Sequence, residues 1–261
     1  MITMIEPVDV SLILPAFNEV SRIQQTINQS IDYLRGRGYS YEVIVAADGD
    51  DGTRELVREM AKSDPGISVI GRAERSGKGR GVREAIALAK GSIIGYADAD
   101  NKVPIQEFEK FAERLSQGYE VVIGSRAMPE SKVEKSQPLY RQLGSRGFRI
   151  VLNAVVGLRE ISDTQCGFKF FSNRAAKLIF DRQKIDGYMF DVEILVLAKR
   201  LGIPVAQVPI TWRDDGDSRL ELVAGNVRNI KDIFRIRFSS ASALMAQPAR
   251  SKTAARGAHS K

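Results

Sequence analysis

The 261-residue chain has a single cysteine, Cys166, and a single histidine, His259. One thiol excludes an intramolecular disulfide and any zinc site built on cysteines. One imidazole, near the end of a polar tail, excludes a Ser-His-Asp triad and a multi-histidine metal site. A bound metal would therefore be held by oxygen ligands, which points to Mg2+ or Mn2+. Long apolar runs are missing too. The richest stretch, Ile150 to Leu158, is short and interrupted by Asn153, far from the roughly 18 apolar residues a membrane span needs. The opening MITMIEPVDV has acids and a proline but no basic leader, so no signal peptide is expected. A location on the cytoplasmic side follows, peripheral to a membrane if attached to one. Acidic charge is in the minority: 39 Lys and Arg face 32 Asp and Glu, a net charge of +7. That balance suits a phosphorylated substrate, an acidic membrane surface or nucleic acid, although an ordinary solvated basic surface gives the same count.

What is present is a regular alternation. Short β-branched runs at Val10–Leu14, Glu42–Ala47, Ile67–Ile70, Ser92–Ala97 and Glu120–Ile123 predict strands. Helical patterns fall between them at Glu19–Arg35, Thr53–Lys62, Gly79–Lys90 and Ile105–Gln117. The expected fold is α/β: a Rossmann-like, mostly parallel sheet flanked by helices, with ligands beyond the carboxyl ends of the strands. After Arg126 the alternation stops. Lys132 to Lys135 reads as a polar loop, and Pro138 can open a helix reaching about Val156. A strand at Gly167–Phe171, a helix near Asp191–Leu201, an edge strand at Val205–Thr211 and a last helix from about Leu220 to Arg237 follow. Residues 1–238 are expected to form one domain of two halves, at about 8–126 and about 127–238. Residues 239–261 read as a disordered basic tail.

The polar clusters follow the strands. Asp98 and Asp100 stand one residue apart directly after an apolar run. Two carboxylates so placed can share a divalent cation and leave positions for phosphate oxygens, although Asp-x-Asp is also common in plain turns. Pro15, Phe17 and Glu19 can wall a nucleoside pocket with Phe17 against the base, and Asn18 can cap the helix that follows. Asp48 can accept from a base N–H, or can belong to a glycine turn before a capped helix. The loop from Arg75 to Gly81 is basic and glycine-rich and opens a helix, a natural place for diphosphate oxygens and for Lys78. It is not a Walker A loop, and no G-x-G-x-x-G follows the first strand.

Together PAFNE, the Asp48 turn, GKG at Gly77–Gly79, DAD at Asp98–Asp100 and GSR at Gly124–Arg126 resemble inverting family-two glycosyltransferases of the GT-A fold. DTQCGFKFF from Asp163, Phe190-Asp191-Val192-Glu193 and the Trp212 to Leu220 segment resemble the dolichyl-phosphate glucosyltransferase branch, with dolichyl-phosphate mannosyltransferases as relatives. The resemblance implies a nucleotide-sugar donor, a divalent metal and a polyprenyl or dolichyl phosphate acceptor at a membrane surface. Glucose from UDP-glucose leads as donor, with GDP-mannose as the alternative. By motif, Pro15, Phe17, Glu19 and Asp48 would hold the nucleoside and Asp98 and Asp100 the metal diphosphate, with Lys78 assisting. Arg126, Arg141 and Ser145 would meet the acceptor phosphate, and Gln165 would lie near the donor sugar. Asp100, Arg126 and Arg141 are thus the expected catalytic residues.

A polyprenyl phosphate is anionic near neutral pH, so its oxygen can attack the sugar C1 without a protein base. One displacement would invert the anomeric centre. Asp191 and Glu193 are candidates to orient sugar hydroxyls or basic side chains, or are simply first-turn helix acids. Val223, Val227, Ile230 and Phe234 recur at helical spacing beside Arg228, Lys231 and Arg235, and Leu139–Val156 mixes arginines with apolar residues. Either helix suits an anionic membrane interface or ordinary core packing. Two rivals stand beside this reading. A soluble transferase acting on a hydroxyl would need Asp191 or Glu193 as general base. A nucleic-acid binder lacks a recognisable motif, and its acidic loops would repel phosphate, so nucleic acid is not expected as a partner.

Overall fold

The computed structural model describes residues 8–134, 152, 155–213 and 224–243. Its order is β1 (Val10–Phe17), α1 (Ile23–Gly36), β2 (Tyr41–Asp48), α2 (Thr53–Ser63), β3 (Ile67–Ile70), α3 (Lys78–Leu88), β4 (Ile93–Ala97), α4 (Phe108–Ser116), β5 (Val121–Ser125) and β6 (Lys132–Val133). Then come β7 (Phe168–Ser172), α5 (Asn173–Phe180), α6 (Phe190–Arg200), β8 (Val205–Pro209), β9 (Thr211–Trp212) and α7 (Ala224–Ala243). The main sheet runs β3-β2-β1-β4-β7-β5-β8, and β6 pairs with β9 in a separate ribbon. Every pairing in the main sheet is parallel except those of β7 with β4 and β5.

The strands read as continuous apolar runs because both faces of the sheet are covered. Leu12 and Leu14 of β1 pack with Ile23, Ile27 and Leu34 of α1, Val57 of α2 and Phe108 and Phe111 of α4. Ile13, between them, points to the opposite layer with Val82 and Ile86 of α3, Ile179 and Phe180 of α5, and Ile194 of α6. Helix α1 buries Ile23, Ile27 and Ile31 at four-residue spacing, the stripe that an amphipathic helix on a sheet requires. Each such isoleucine contributes about 1.5–3 kcal/mol by leaving water.

Four elements depart from the sequence reading. Helix α1 starts at Ile23 with Arg22 at its N-cap, so Asn18 is not its cap. Asn18 instead takes a positive φ of 54° in the turn after β1. The expected loop at Lys132 to Lys135 contains β6, which pairs with β9 through Lys132↔Thr211 and Val133↔Trp212. Helix α5 was not anticipated; it is short, and its cap is local, with Ser172 Oγ accepting from the Ala175 N–H at 3.1 Å. Helix α7 runs on to Ala243, into the segment read as a tail. The expected helix from Pro138 to about Val156 lies almost wholly outside the described residues, as do residues 220–223.

Candidate active site

Parallel strands β1, β2, β4 and β5 end at one edge, and the order of strands reverses between β1 and β4, where an open α/β sheet forms its crevice. Antiparallel β7 enters the sheet at that same edge. Its register sets Ala97 of β4 opposite Phe168, so the residues before β7 arrive beside the residues after β4. Asp98 donates its backbone N–H to the Gly167 carbonyl at 3.0 Å. The segment 163–167 is therefore delivered to Asp98 by one strand running against the others.

Asp98 and Asp100 occupy the turn after β4, partly exposed, and each faces an ammonium. Lys78 Nζ lies 2.6 Å from Asp98 Oδ1, and Lys102 Nζ lies 3.4 Å from Asp100 Oδ2. Burial, and then the neighbouring Asp98 charge, push the Asp100 carboxyl above its ordinary value. Two hard oxygen donors under mutual repulsion, each already drawing a cation, fit a divalent ion of the Mg2+ or Mn2+ kind. Among the described residues no group of three or more acidic, histidine or cysteine side chains is placed to hold a metal ion. Phosphate oxygens and water would complete such a site.

Lys78 opens α3. Cβ atoms at Gly77 and Gly79 would fall 2.3 Å from the Asp186 carbonyl oxygen and 2.4 Å from that of Ile185. Only glycines let this turn lie flush against the segment leading into α6, and that contact carries Lys78 to Asp98. Burial opposes the Lys78 charge, yet Asp98 and Asp191 outweigh it and raise its pKa.

Arg126 follows β5. Its Nε and Nη2 donate to Asp163 Oδ2 and Oδ1 at 2.7 and 3.0 Å, and its backbone N–H adds a third bond at 3.1 Å. Burial works against the guanidinium charge, but Asp163 more than offsets it. Asp98, Arg126, Gln165 and Trp212 line one cleft, with Lys102 and Gly167. The β6–β9 ribbon brings the Trp212 ring to 5.6 Å from the Arg126 guanidinium and 5.8 Å from Lys102 Nζ, both within cation–π range. Cys166, in the same wall, is buried, and its thiol is pushed up to about 12 by burial; it is not a nucleophile at neutral pH.

The residues expected to hold a nucleoside cluster at the ends of β1 and β2, where Phe17 is paired with Asp48. Asp48 Oδ2 accepts from the Ser76 N–H and Oγ at 2.7 and 2.6 Å, so it ties down the basic glycine loop. The Arg75 guanidinium lies 4.5 Å over the Phe17 ring, on a face where a base was expected to stack. Pro15 belongs to β1, opposite Ala46. Glu19 sits in the following turn, its N–H donating to Thr53 Oγ1 at 3.1 Å.

The two helix acids part company. Asp191 is buried and ion-pairs with the fully buried Lys169. Glu193 Oε2 accepts from the backbone N–H groups of Lys184 and Ile185 at 3.0 and 2.7 Å; it braces the turn into α6. Arg141 and Ser145 lie outside the described residues. Asp163, Lys169 and Trp212 were not assigned individual roles from the sequence. A lysine inside the apolar run Phe168–Ser172 was the available signal, since a buried ammonium requires a carboxylate partner.

The model of the family described as "Glycosyl transferase family 2" matches residues 11–180. A dolichyl-phosphate beta-glucosyltransferase ALG5C of Trichomonas vaginalis is 31% identical over 87% of this chain and 70% of its own length. A dolichyl-phosphate beta-glucosyltransferase of Dictyostelium discoideum is 31% identical over 90% and 75%, respectively. Among solved structures, the glucosyl-3-phosphoglycerate synthase of Mycobacterium tuberculosis, in complex with Mn2+, UDP and glucosyl-3-phosphoglycerate, superposes with a TM-score of 0.64. It is 22% identical and aligns over 88% of this chain and 80% of that one, a likeness that speaks for the fold. With the sheet order, the acid pair after β4 and the matched family model in agreement, the chain belongs to glycosyl transferase family 2 and has its GT-A-like α/β fold.

Proposed function

We propose that this protein transfers glucose from UDP-glucose to a polyprenyl or dolichyl phosphate at a membrane surface, in one inverting, metal-dependent displacement. The observation that carries this reading is the single cleft in which Asp98, Arg126 and Gln165 meet. A donor diphosphate at the acid pair and an acceptor phosphate at the arginine would there be neighbours. The names and the extent of similarity of the curated relatives support the sugar and the lipid class.

Asp98 and Asp100 would hold a Mg2+ or Mn2+ ion, which when bound supplies positive charge to the departing diphosphate. Lys78, at the N-terminus of α3, adds an ammonium on the same side, where the helix end also favours anions. Arg126, locked by Asp163, presents a pre-oriented cation toward an acceptor phosphate; orientation of this kind supplies much of the rate when the nucleophile is already ionised. Gln165 can donate to a sugar hydroxyl from the cleft wall. Phe17 and Asp48 would receive the uridine once Arg75 shifts from the ring.

A hydroxyl acceptor fits less well. Its general base was to be Asp191 or Glu193, but the first is committed to buried Lys169 and the second to backbone N–H groups. Among the described residues no helix is long and apolar enough to cross a membrane. Helix α7 buries Ile233 and Ile236 and turns Ile230, Phe234 and Phe238 outward beside Arg228, Lys231 and Arg235. An exposed apolar stripe flanked by cations supports peripheral attachment to an anionic membrane. Nuclear magnetic resonance of the product at the sugar C1 tests the displacement: a β-linked phosphosugar is expected, and an α-linked one overturns it.

A further inference from the structure

Asp191 is the centre of a buried charge cluster that the transfer itself does not use. Its Oδ1 accepts from the Tyr96 hydroxyl at 2.5 Å and pairs with Lys169. Lys169 has no solvent exposure, and its ammonium also donates to the Cys166 carbonyl at 2.7 Å. The other oxygen, Oδ2, faces Lys78 Nζ at 3.9 Å, while that same Nζ sits 2.6 Å from Asp98 Oδ1. The Lys78 ammonium thus has two carboxylates within reach and makes its close contact with the one expected to bind the metal. The rings of Tyr96 and Phe190 lie 5.9 and 5.7 Å from Nζ, so little water can compensate an ammonium deprived of a partner.

We propose that Asp191 is a positioning residue that receives the Lys78 ammonium when a divalent cation takes Asp98. The inference rests on the reading of Asp98 and Asp100 as the metal pair. A cation arriving at Asp98 competes with Lys78 for the same oxygen. Without a second carboxylate, displacing Lys78 would strand a largely buried ammonium, a heavy cost. Asp191 removes that cost: Lys169 and Tyr96 fix its Oδ1, which leaves Oδ2 aimed at Lys78 a short rotation away. Lys78 is then a built-in counter-ion for Asp98 in the metal-free protein, and Asp191 determines how readily it yields.

The test is Mn2+ binding to the full-length protein, read from the free-ion electron paramagnetic resonance signal, with and without UDP and with no lipid or sugar present. Asp191→Asn is made together with Lys169→Met, so that no buried ammonium is left unpaired, and folding is checked by circular dichroism. The pair is expected to weaken Mn2+ binding about tenfold, as coupled charges in one network do. The same pair added to Lys78→Gln is expected to change nothing further, because the ion it relocates is gone. Lys78→Gln alone is expected to tighten Mn2+ binding without UDP, and an unchanged or weaker affinity overturns the proposal even if the double variant fails to fold. Wild-type affinity in the Asp191→Asn/Lys169→Met protein overturns it too, as does an equal loss in the Lys78→Gln background. No Mn2+ binding by the unaltered protein with UDP present overturns the metal assignment, and the inference falls with it.

Discussion

Asp98 Oδ2 lies 2.0 Å from the point that a Cβ on Gly167 would occupy. The glycine inside DTQCGFK is therefore the floor on which the first acid of the DAD turn rests. Sixty-nine residues of sequence separate the two, and the antiparallel pairing of β7 with β4 closes the gap.

Gly167→Ala is accordingly expected to displace the Asp98 carboxylate while leaving the sheet intact. A shift of about 1 Å at such a site costs about a hundredfold in rate. Transferase activity and Mn2+ binding would fall together, with far-ultraviolet circular dichroism unchanged. Retained activity would show that Asp98 is not held to this position.

Asp163→Asn should release the guanidinium fork of Arg126. Because Asp163 is buried and the pair is bidentate, the loss is expected to be about 3 kcal/mol, or roughly 6–12 °C in melting temperature for a chain of this size. Calorimetry measures that term. Steady-state kinetics with varied acceptor should show a weaker acceptor interaction, with donor binding little changed.

Metal binding should depend on pH through Asp100. Its folded pKa is raised, by burial first and Asp98 second, so the metal-free protein holds this proton at a higher pH than the unfolded chain does. The stability that Asp100 contributes is thus present below the ordinary value of 3.8 and is lost as pH rises through the folded value. Metal affinity runs the opposite way, since the cation needs the carboxylate. On acidification Mn2+ affinity should fall before the ordinary carboxylate range is reached, and Asp100→Asn should abolish that part of the profile.

Ile230, Phe234 and Phe238 are 50%, 54% and 72% exposed, so replacing all three by serine should leave folding within about 0.5 kcal/mol per site. Binding to vesicles containing anionic lipid, followed by co-sedimentation, is expected to weaken by about tenfold or more, and salt should weaken what remains. Unchanged vesicle binding would assign the exposed face to something else.

Much of this was legible in the sequence, for identifiable reasons. The strands of the first half announce themselves because both faces of a parallel sheet are buried, and Asp98 and Asp100 stand out because they follow one such run directly. What escaped depends on pairings between distant segments. Asp163 reaches Arg126 across 37 residues, and Lys169 reaches Asp191 across 22, and nothing local to either residue marks its partner. Asn18 looked like a helix cap, but its positive φ carries the chain through a turn before α1 starts. Glu193 looked like a free helix acid, but the backbone of the preceding turn claims it. Helix α5 is eight residues long, too short for its periodicity to stand out beside strand β7.

The most direct test is transfer of radiolabel from UDP-glucose to a polyprenyl phosphate by the purified protein, counted in the organic phase. UDP-xylose, UDP-N-acetylglucosamine and GDP-mannose would be run in parallel. The expected result is lipid labelling from UDP-glucose that requires Mn2+ or Mg2+ and disappears with Asp100→Ala. No labelling from any donor, by a folded protein that binds UDP, would contradict transfer to a lipid phosphate.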